Sequence, residues 1–120
     1  MRPIPKKMLI HHAVLVTEYA PDLWGKASEA EACPLDRIRI ESSHRNVTTK
    51  EQQQITLSAV LFFDCINSAC PVPFLLEGDT YGGKTVKNQF VEWNSRKYAI
   101  QAIDLLYDDK KLHHYEVGLV

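Results

Sequence analysis

Short runs of β-branched and aliphatic residues, separated by turn-forming residues, recur along the chain and restrict what it can fold into. In "LDRIRIESS", Ile38 and Ile40 fall on one face while charged residues occupy the other, which is the period of a half-exposed strand. "MLIHHAVLVT", residues 8–17, is too short and too apolar on both faces for a surface helix. Both runs therefore predict strands.

The second half of the chain continues the pattern. "ITLSAVLFFDCI", residues 55–66, is the longest apolar run and predicts a strand buried on both faces for much of its length. "QFVEWNSRKYAIQAI" places two β-rich runs on either side of Asn94-Ser95, which indicates a hairpin. The terminal "HHYEVGLV" predicts a last strand, and its alternation puts four residues on one face. We expect these to pack inward and close a barrel: His113, Tyr115, Val117 and Leu119.

Helical signals are scarce in this sequence. Only the Ala- and Glu-rich residues 26–32 could form a turn or two of helix. A chain of 120 residues is long enough for one domain with one core. We therefore predict a mainly β fold, a small antiparallel β-barrel of about six strands spanning residues 1–120, with at most one short helix. Pro3 and Pro5 indicate that residues 1–7 form an extended N-terminal arm.

The segment "HRNVTTKEQQQ", residues 44–54, joins two predicted strands and is almost free of aliphatic residues. Such a segment cannot contribute much to a core, so it predicts a long exposed loop. Loops carried on a rigid scaffold often hold the residues that contact partners. The candidate channel or partner residues in this loop are His44, Arg45, Asn46, Lys50, Glu51, Gln52 and Gln53.

The stretch "GDTYGGKT", residues 78–85, matches the phosphate-binding pattern G-x-x-x-x-G-K-[ST]. A phosphate loop needs a strand before it and a helix after it, because the helix N-terminus contributes to the anion site. The residues that follow, "VKNQFVEWN", favour a strand instead. We predict a tight turn at Gly82-Gly83 and no nucleotide binding.

The histidines occur as two adjacent pairs and one single residue. Neighbouring residues of a strand point to opposite faces, so neither His11-His12 nor His113-His114 is expected to hold one ion as a pair. One histidine from each of two strands could still meet across a sheet. We expect no metal ion and no cofactor.

The cysteines give no stronger indication of chemistry. Cys33, Cys65 and Cys70 form no C-x-x-C pair of the kind that zinc and redox sites use. Cys65 or Cys70 together with a histidine and Asp64 could be named a nucleophilic set, but any chain of this composition offers such a set. We predict that the protein is not an enzyme and has no catalytic residues.

The charge balance bears on possible partners. Lys and Arg number 14 and Asp and Glu number 15, for a net charge of -1, so a large basic patch for tight nucleic-acid binding is not expected. No apolar run approaches the roughly 18 to 20 residues that span a bilayer, and the N-terminus shows no cleavage site for export. We expect no membrane partner.

Three blocks of the sequence resemble one known family. "RPIPKKMLIHHAVL" at the start, "ITLSAVLFFDCINS" in the middle and "LLYDDKKLHHYEVGLV" at the end are similar to minor capsid proteins. These belong to the head-morphogenesis cluster of tailed double-stranded DNA phages and prophages. The blocks lie in the same order as in the family and span nearly the whole chain, and the terminal "KKLHHYEVGLV" is quite specific.

The resemblance implies a structural role in the virion, at the vertex where head meets tail. Proteins of this kind are similar to head-completion or stopper proteins, small β-barrels that form a homo-oligomeric ring. The implied neighbours are a portal or adaptor on one side, a tail-side connector on the other, and double-stranded DNA that passes without specific binding. The family suggests that a loop of each subunit reaches into the channel, and residues 44–54 are the best candidate here. The alternatives are a β-barrel module that binds oligonucleotide or peptide, or a small metalloprotein.

Overall fold

The structure is a computed structural model that describes residues 3–21, 23–25, 29–48, 52–68 and 74–120. Its regular elements are one short 3-10 turn and a series of antiparallel strands. In chain order they are the 3-10 turn Lys6–Met8, β1 (His11–Tyr19), β2 (Glu31–Ser42), β3 (Asn46–Thr48), β4 (Gln54–Thr56), β5 (Ala59–Asp64), β6 (Thr80–Tyr81), β7 (Lys84–Trp93), β8 (Arg96–Asp108) and β9 (Lys111–Leu119).

Six of these strands close into a barrel. Their order is β1-β2-β5-β9-β8-β7, and β7 pairs back onto β1, so the sheet has no free end strand. At the closure Val14 lies between Pro34 of β2 and Glu92 of β7. All of the pairings are antiparallel, and β6 adds a short strand to the start of β7. The predicted fold, a small mainly β antiparallel barrel, is confirmed.

The core follows from the alternation of side chains along each strand. In β1, Ala13, Leu15, Thr17 and Tyr19 are buried, while the residues between them are partly exposed. Burying an aliphatic side chain completely stabilises the fold by roughly 1.5–3 kcal/mol. The fully buried residues of the main core, each 0% exposed, are Leu15, Leu35, Ile38, Leu61, Val91, Val117 and Leu119.

Strand β2 pairs with two neighbouring strands and contains a bulge. His11 pairs with Ile38 and Ala13 pairs with Leu35, so β2 has one residue more than β1 between these pairs. Arg37, at the bulge, has a φ of 55°. Bulges bend a strand and increase its twist. β2 pairs with β1 across the bulge, from Glu31 to Ile38, and with β5 after it, from Arg39 to Ser42.

Two tight turns lie where the sequence predicts them. Gly82 and Gly83, with φ of 59° and 78°, connect β6 to β7, and the residues after them continue as a strand. Asn94 and Ser95, with φ of 50° and 62°, connect β7 to β8. Positive φ at both central residues is the geometry that matches the right-handed twist of a hairpin. The local structure that a phosphate loop requires is therefore not formed at Gly82-Gly83.

The Asn94-Ser95 turn provides a test of the hairpin. Serine has a Cβ that is disfavoured at positive φ, whereas glycine adopts this conformation freely. We expect Ser95→Gly to raise the free energy of unfolding by about 0.5–1 kcal/mol in denaturant titration. Asn94→Gly is the matched control and should change it less, because asparagine tolerates left-handed backbone. A destabilising Ser95→Gly would contradict the turn geometry.

Three sequence-based expectations differ from the structure. The predicted helix at 26–32 is wrong where the structure describes it: residues 29 and 30 are not helical and Glu31 begins β2, which continues the barrel ladder with Thr17. Residues 26–28 lie outside the described part. The first strand begins at His11 and not at Met8, because residues 6–8 form the 3-10 turn. In the predicted N-terminal arm, residues 3–5 precede this turn and residues 6 and 7 belong to it. No helix in the described ranges is long and apolar enough to cross a membrane.

The third difference concerns the run 55–66, which does not form one strand. It is divided at Leu57 and Ser58 into the end of β4 and the whole of β5. The N–H of Leu57 donates to the carbonyl of Arg45, while the N–H of Ser58 donates to the carbonyl of Leu119. The backbone thus changes partners between two consecutive residues.

His11 extends the contact between β1 and β2 through its side chain. The Ile40 N–H donates to Nδ1 of His11 at 3.0 Å, and the ring meets Trp93 edge to face with centroids 5.1 Å apart. Burial lowers the pKa of His11 from its ordinary value, and the charges of Arg39 and His12 lower it further. Since Nδ1 accepts a hydrogen bond, the folded structure requires the neutral ring.

This arrangement predicts a loss of stability in acid. The unfolded chain takes up a proton at His11 more readily than the folded one, so stability is full above the ordinary pKa of 6.5 and falls as the pH drops below it. We expect His11→Asn, whose side-chain oxygen can accept the Ile40 N–H without titrating, to flatten this dependence in thermal melts. His44→Asn, at an exposed position, is the control and should melt like the parent at each pH. An unchanged slope in His11→Asn would contradict the assignment.

Candidate functional site

Strands β3 and β4 pair only with each other and form a separate two-stranded ribbon. Asn46 lies opposite Thr56, Val47 opposite Ile55 and Thr48 opposite Gln54. The Thr56 hydroxyl donates to the Asn46 side-chain oxygen at 2.7 Å. Val47 and Ile55 are half-buried, while the other residues of both strands are exposed. The ribbon is thus a projection from the barrel with one weakly apolar side.

The candidate loop residues fall on this ribbon and its approach. His44 and Arg45 are exposed and precede β3, whose first residue is Asn46. Gln52 and Gln53 are exposed and lead into β4. Lys50 and Glu51 lie outside the described residues. Within the predicted loop, residues 46–48 form β3 and Gln54 begins β4. The sequence does not predict these strands, because each has three residues and the alternation around Val47 and Ile55 is too brief to be recognised before their pairing is known.

Leu57 anchors the ribbon to the barrel. Its side chain is only 1% exposed, although it lies at the base of an otherwise exposed segment. A Cβ placed on Gly118 of β9 would lie 2.9 Å from Cδ1 and 3.0 Å from Cδ2 of Leu57, and 3.5 Å from the Cβ of Ala102 on β8. The missing side chain of Gly118 therefore leaves room for Leu57 on the barrel wall. Burying this leucine contributes roughly 1.5–3 kcal/mol to holding the ribbon in place.

Polar contacts surround the anchor. The Ser43 N–H donates to the Ser58 carbonyl at 3.0 Å, and the Leu57 N–H donates to the Arg45 carbonyl at 2.8 Å. Arg45 also lies 3.5 Å from the carboxylate of Asp104, with side chains 46% and 56% exposed. Ion pairs with this exposure contribute little, at most about 1 kcal/mol. The backbone bonds and Leu57 therefore hold the base.

The anchor can be loosened by one methyl group. We expect Gly118→Ala to displace the Leu57 side chain and cost about 1–3 kcal/mol of unfolding free energy. Hydrogen exchange of the Leu57 amide should accelerate more than that of amides in the core of β7. The double variant Gly118→Ala, Leu57→Ala should show a smaller loss than the sum of the single variants, because the methyl then fills the space of the leucine. Additive losses would mean that the two residues are not in contact.

The four residues predicted for the closing strand lie on β9. This strand pairs with β5 on one side and β8 on the other. Val117 and Leu119 are 0% exposed. Tyr115 is half-buried and its ring packs against Phe63 and Phe74, with centroids 5.9 and 5.8 Å away. Burial raises the pKa of Tyr115 from its ordinary value, so the phenol is neutral at physiological pH.

His113 departs from the alternation of β9. Leu106 pairs with His114 and Tyr107 pairs with Leu112, so His113 is an extra residue in a bulge. Its Nδ1 lies 2.7 Å from Nδ1 of His114, whose Nε2 lies 3.0 Å from Glu116. The expectation that this adjacent pair would point to opposite faces is wrong, because a bulge interrupts the pleat. No group of three His, Cys, Asp or Glu in the described part of the chain is placed to hold a metal ion.

The surroundings of Cys65 and Asp64 are those of structural residues. Burial, and then the charge of Asp64, raise the pKa of the Cys65 thiol, so it stays protonated at neutral pH. Asp64 is 0% exposed, and its carboxylate accepts hydrogen bonds from the N–H groups of Ile4, Ile66 and Asn67. This carboxylate holds the N-terminal segment and the turn after β5 together. Cys70 lies outside the described residues.

Lys84, the lysine of the phosphate-binding pattern, contacts an aromatic ring. Its Nζ lies 5.1 Å from the centroid of Tyr19, a cation–π contact. Burial and a hydrogen bond to Glu31 raise the pKa of Tyr19 to about 12. Lys84 thus belongs to the wall of the barrel around Tyr19.

A cleft of about 680 Å³ lies beneath the ribbon. Gln53 and Ile55 of the ribbon form one wall, and Leu75 and Leu76 form another. β7 and β8 form its floor, where their pairing ends at Phe90 and Ala99. Gln101 is the extra residue of a bulge in β8, two residues beyond the last pair of the β7–β8 ladder, and bulges bend a strand.

Together these features define a structural β-barrel that carries an anchored ribbon and a cleft at its side. The model of the minor capsid protein family matches residues 5–119. The chain therefore belongs to the minor capsid protein family and is a structural protein of phage capsids. Searches of curated proteins and of solved structures found no match.

Proposed function

We propose that this minor capsid protein is a connector subunit at the vertex where the phage head meets the tail. Several copies form a ring between the portal or adaptor and a tail-side connector protein. In this position the ring completes the head and helps to retain the packaged DNA. The free protein is made in the host cytoplasm and acts in the virion.

The anchored ribbon is the observation that carries this proposal. A connector needs a rigid body that packs against its neighbours and a projecting element that reaches toward the channel. The closed barrel supplies the body, because each of its six strands is paired on both sides. The ribbon supplies the projection, and the buried Leu57, packed beside Gly118, fixes its direction.

The charge of the ribbon suits a surface past which DNA moves. Its described part, residues 44–48 and 52–56, carries one arginine and no other fixed charge, and Arg45 is paired with Asp104. Strong phosphate binding requires several unpaired lysines or arginines and would retard passing DNA. The amide and hydroxyl side chains of the ribbon contact phosphates weakly and without sequence preference.

The geometry favours this function over an oligonucleotide-binding module. Single-strand binding requires a basic groove with aromatic side chains on which bases stack. Among the described residues that line the cleft, the charged ones are Glu77 and Lys87, one of each sign, and none is aromatic.

Phage particles that carry a shortened ribbon would test the proposal. Residues 47–55 are replaced by a short Gly-Ser turn, which leaves Arg45 and the Leu57 anchor in place. We expect heads that package DNA but lose it or fail to join tails, measured by DNA retention and electron microscopy. Labelled protein should be found at a single vertex.

A variant with a Gly-Ser insertion at Asp109-Lys110, the turn between β8 and β9, is the matched control, since it changes an exposed turn that belongs to neither the ribbon nor the described lining of the cleft. Thermal melting establishes that both variants are folded. Fully infectious particles from the ribbon variant, or label spread over the whole capsid, would refute the connector role.

A further inference from the structure

A pocket of about 260 Å³ lies at one end of the barrel. β2 and β9 end here, β5 and β8 begin here, and the Asn94-Ser95 turn joins β7 to β8 at the same end. We call this pocket the mouth of the barrel. The polar and aromatic residues that line it are Ser42, Ser58, Trp93, Arg96, Lys97 and Tyr98.

Arg96 lies on the core-facing side of the sheet at the mouth. It pairs with Trp93, which is two residues beyond Val91, a core residue that is 0% exposed. Side chains alternate along a strand and directly opposite residues share a face, so Arg96 and Trp93 lie on the same side as Val91. The same rule places Ser42, two residues beyond the buried Ile40, on the core-facing side of β2. Arginine and serine thus face the mouth from different strands.

The strongest hydrogen-bond donors of the mouth have no partner within the described part of the chain. The guanidinium of Arg96 and the hydroxyls of Ser42 and Ser58 make no hydrogen bond or ion pair there. Among the described residues that line the mouth, none is an aspartate or a glutamate. The mouth therefore presents donors and a positive charge without a carboxylate of its described lining to neutralise them.

The carboxylates nearest in the chain do not compensate Arg96. Glu41 is next to Ser42 but accepts a hydrogen bond from Arg39 at 2.7 Å. Glu92 lies opposite Lys97, and both are on the side of the sheet that faces away from Arg96. Lys97 itself keeps its charge near the mouth, because its Nζ makes only a cation–π contact, 5.1 Å from the centroid of Phe90.

We propose that the mouth binds a phosphate group. The planar guanidinium of Arg96 can donate two parallel hydrogen bonds to two phosphate oxygens. The hydroxyls of Ser42 and Ser58 can donate to the remaining oxygens from the opposite side, because three steps of the barrel order separate β8 from β2 in both directions. A phosphate has oxygens in several directions and can use donors from both walls, whereas a planar carboxylate cannot.

The size of the mouth agrees with a small group as the ligand. Its volume of about 260 Å³ is below the roughly 300–1,000 Å³ of pockets that hold whole ligands. A free phosphate ion, or a phosphate that projects from a nucleic acid, is the ligand that fits. One arginine makes a weak site, so such a contact would not hold back DNA that passes the protein. The proposal goes beyond the connector role and does not depend on it.

Titration of the protein with sodium phosphate tests the site. The amide chemical shifts of Ser42, Ser58 and Arg96 are followed by NMR at constant ionic strength, with sodium acetate in a parallel titration. We expect saturable shifts with phosphate and weaker binding of acetate. Arg96→Gln should weaken phosphate binding by about tenfold or more, because charge-assisted hydrogen bonds are lost, and Ser42→Ala by about threefold.

Lys110→Gln is the matched control. It removes the same charge at an exposed turn between β8 and β9, at the other end of β8, and should leave phosphate binding unchanged. Thermal melting establishes that the variants are folded. Should Arg96→Gln not fold, Arg96→Lys replaces it, since it keeps the charge but loses the planar pair of donors and should also bind more weakly.

A further titration identifies the source of the phosphate. Short DNA duplexes with and without 5′-terminal phosphates are compared with inorganic phosphate at equal phosphate concentration. Tighter binding of both duplexes would assign the site to the DNA backbone, and tighter binding of the 5′-phosphorylated duplex alone would assign it to a DNA end. Binding of inorganic phosphate without either would assign it to the free ion.

The proposal is refuted if phosphate does not shift the amides of the mouth, if acetate binds as tightly as phosphate, or if folded Arg96→Gln binds phosphate like the parent. An equal loss of binding in Lys110→Gln would also refute it, because the effect would then come from net charge alone. Phosphate binding at the mouth of a protein that is not found at a single vertex would refute the connector role and leave this site intact.

Discussion

The pairing of β1 with β7 is the constraint on which the rest of the structure depends. Without it the sheet would be open and would expose one edge of each of these strands, together with the apolar faces beneath. Closure lets Leu15 and Val91 pack on the same core from the two strands that meet there. It also leaves the ribbon as a separate element, because β3 and β4 pair with each other and with none of the six barrel strands.

The direction of the ribbon is determined by an apolar contact more than by charge. Arg45 and Asp104 are about half exposed, and solvent screens their attraction. Leu57 is only 1% exposed, and the space for it exists because Gly118 has no side chain. One wall of the cleft consists of ribbon residues, so the same anchor also determines the width of the cleft.

Local patterns predict much of this fold. Three features depend on neighbouring residues and can be predicted from the sequence: the alternation in β2, the turns at Gly82-Gly83 and Asn94-Ser95, and the inward positions of Val117 and Leu119. The break between β4 and β5 at Leu57 cannot be predicted in this way, because the space for Leu57 is provided by a glycine on another strand. The bulge at His113 cannot be predicted either, because it depends on the register between β9 and β8. For the candidate site, the segment 44–54 can be recognised from its polarity, whereas the pairing of β3 with β4 and the cleft lined by ribbon residues depend on the three-dimensional arrangement.

The closure also has a kinetic consequence. Thr17 on β1 and Gln89 on β7 meet through a buried side-chain hydrogen bond although 72 positions separate them in the chain. Contacts between such distant residues form late, because loop closure must be achieved before they contribute. During synthesis β1 emerges first and has to wait for β7 before its second edge is covered. The cleft is lined by residues of β7, β8 and the ribbon, so it is completed at the same late stage as the closure of the barrel.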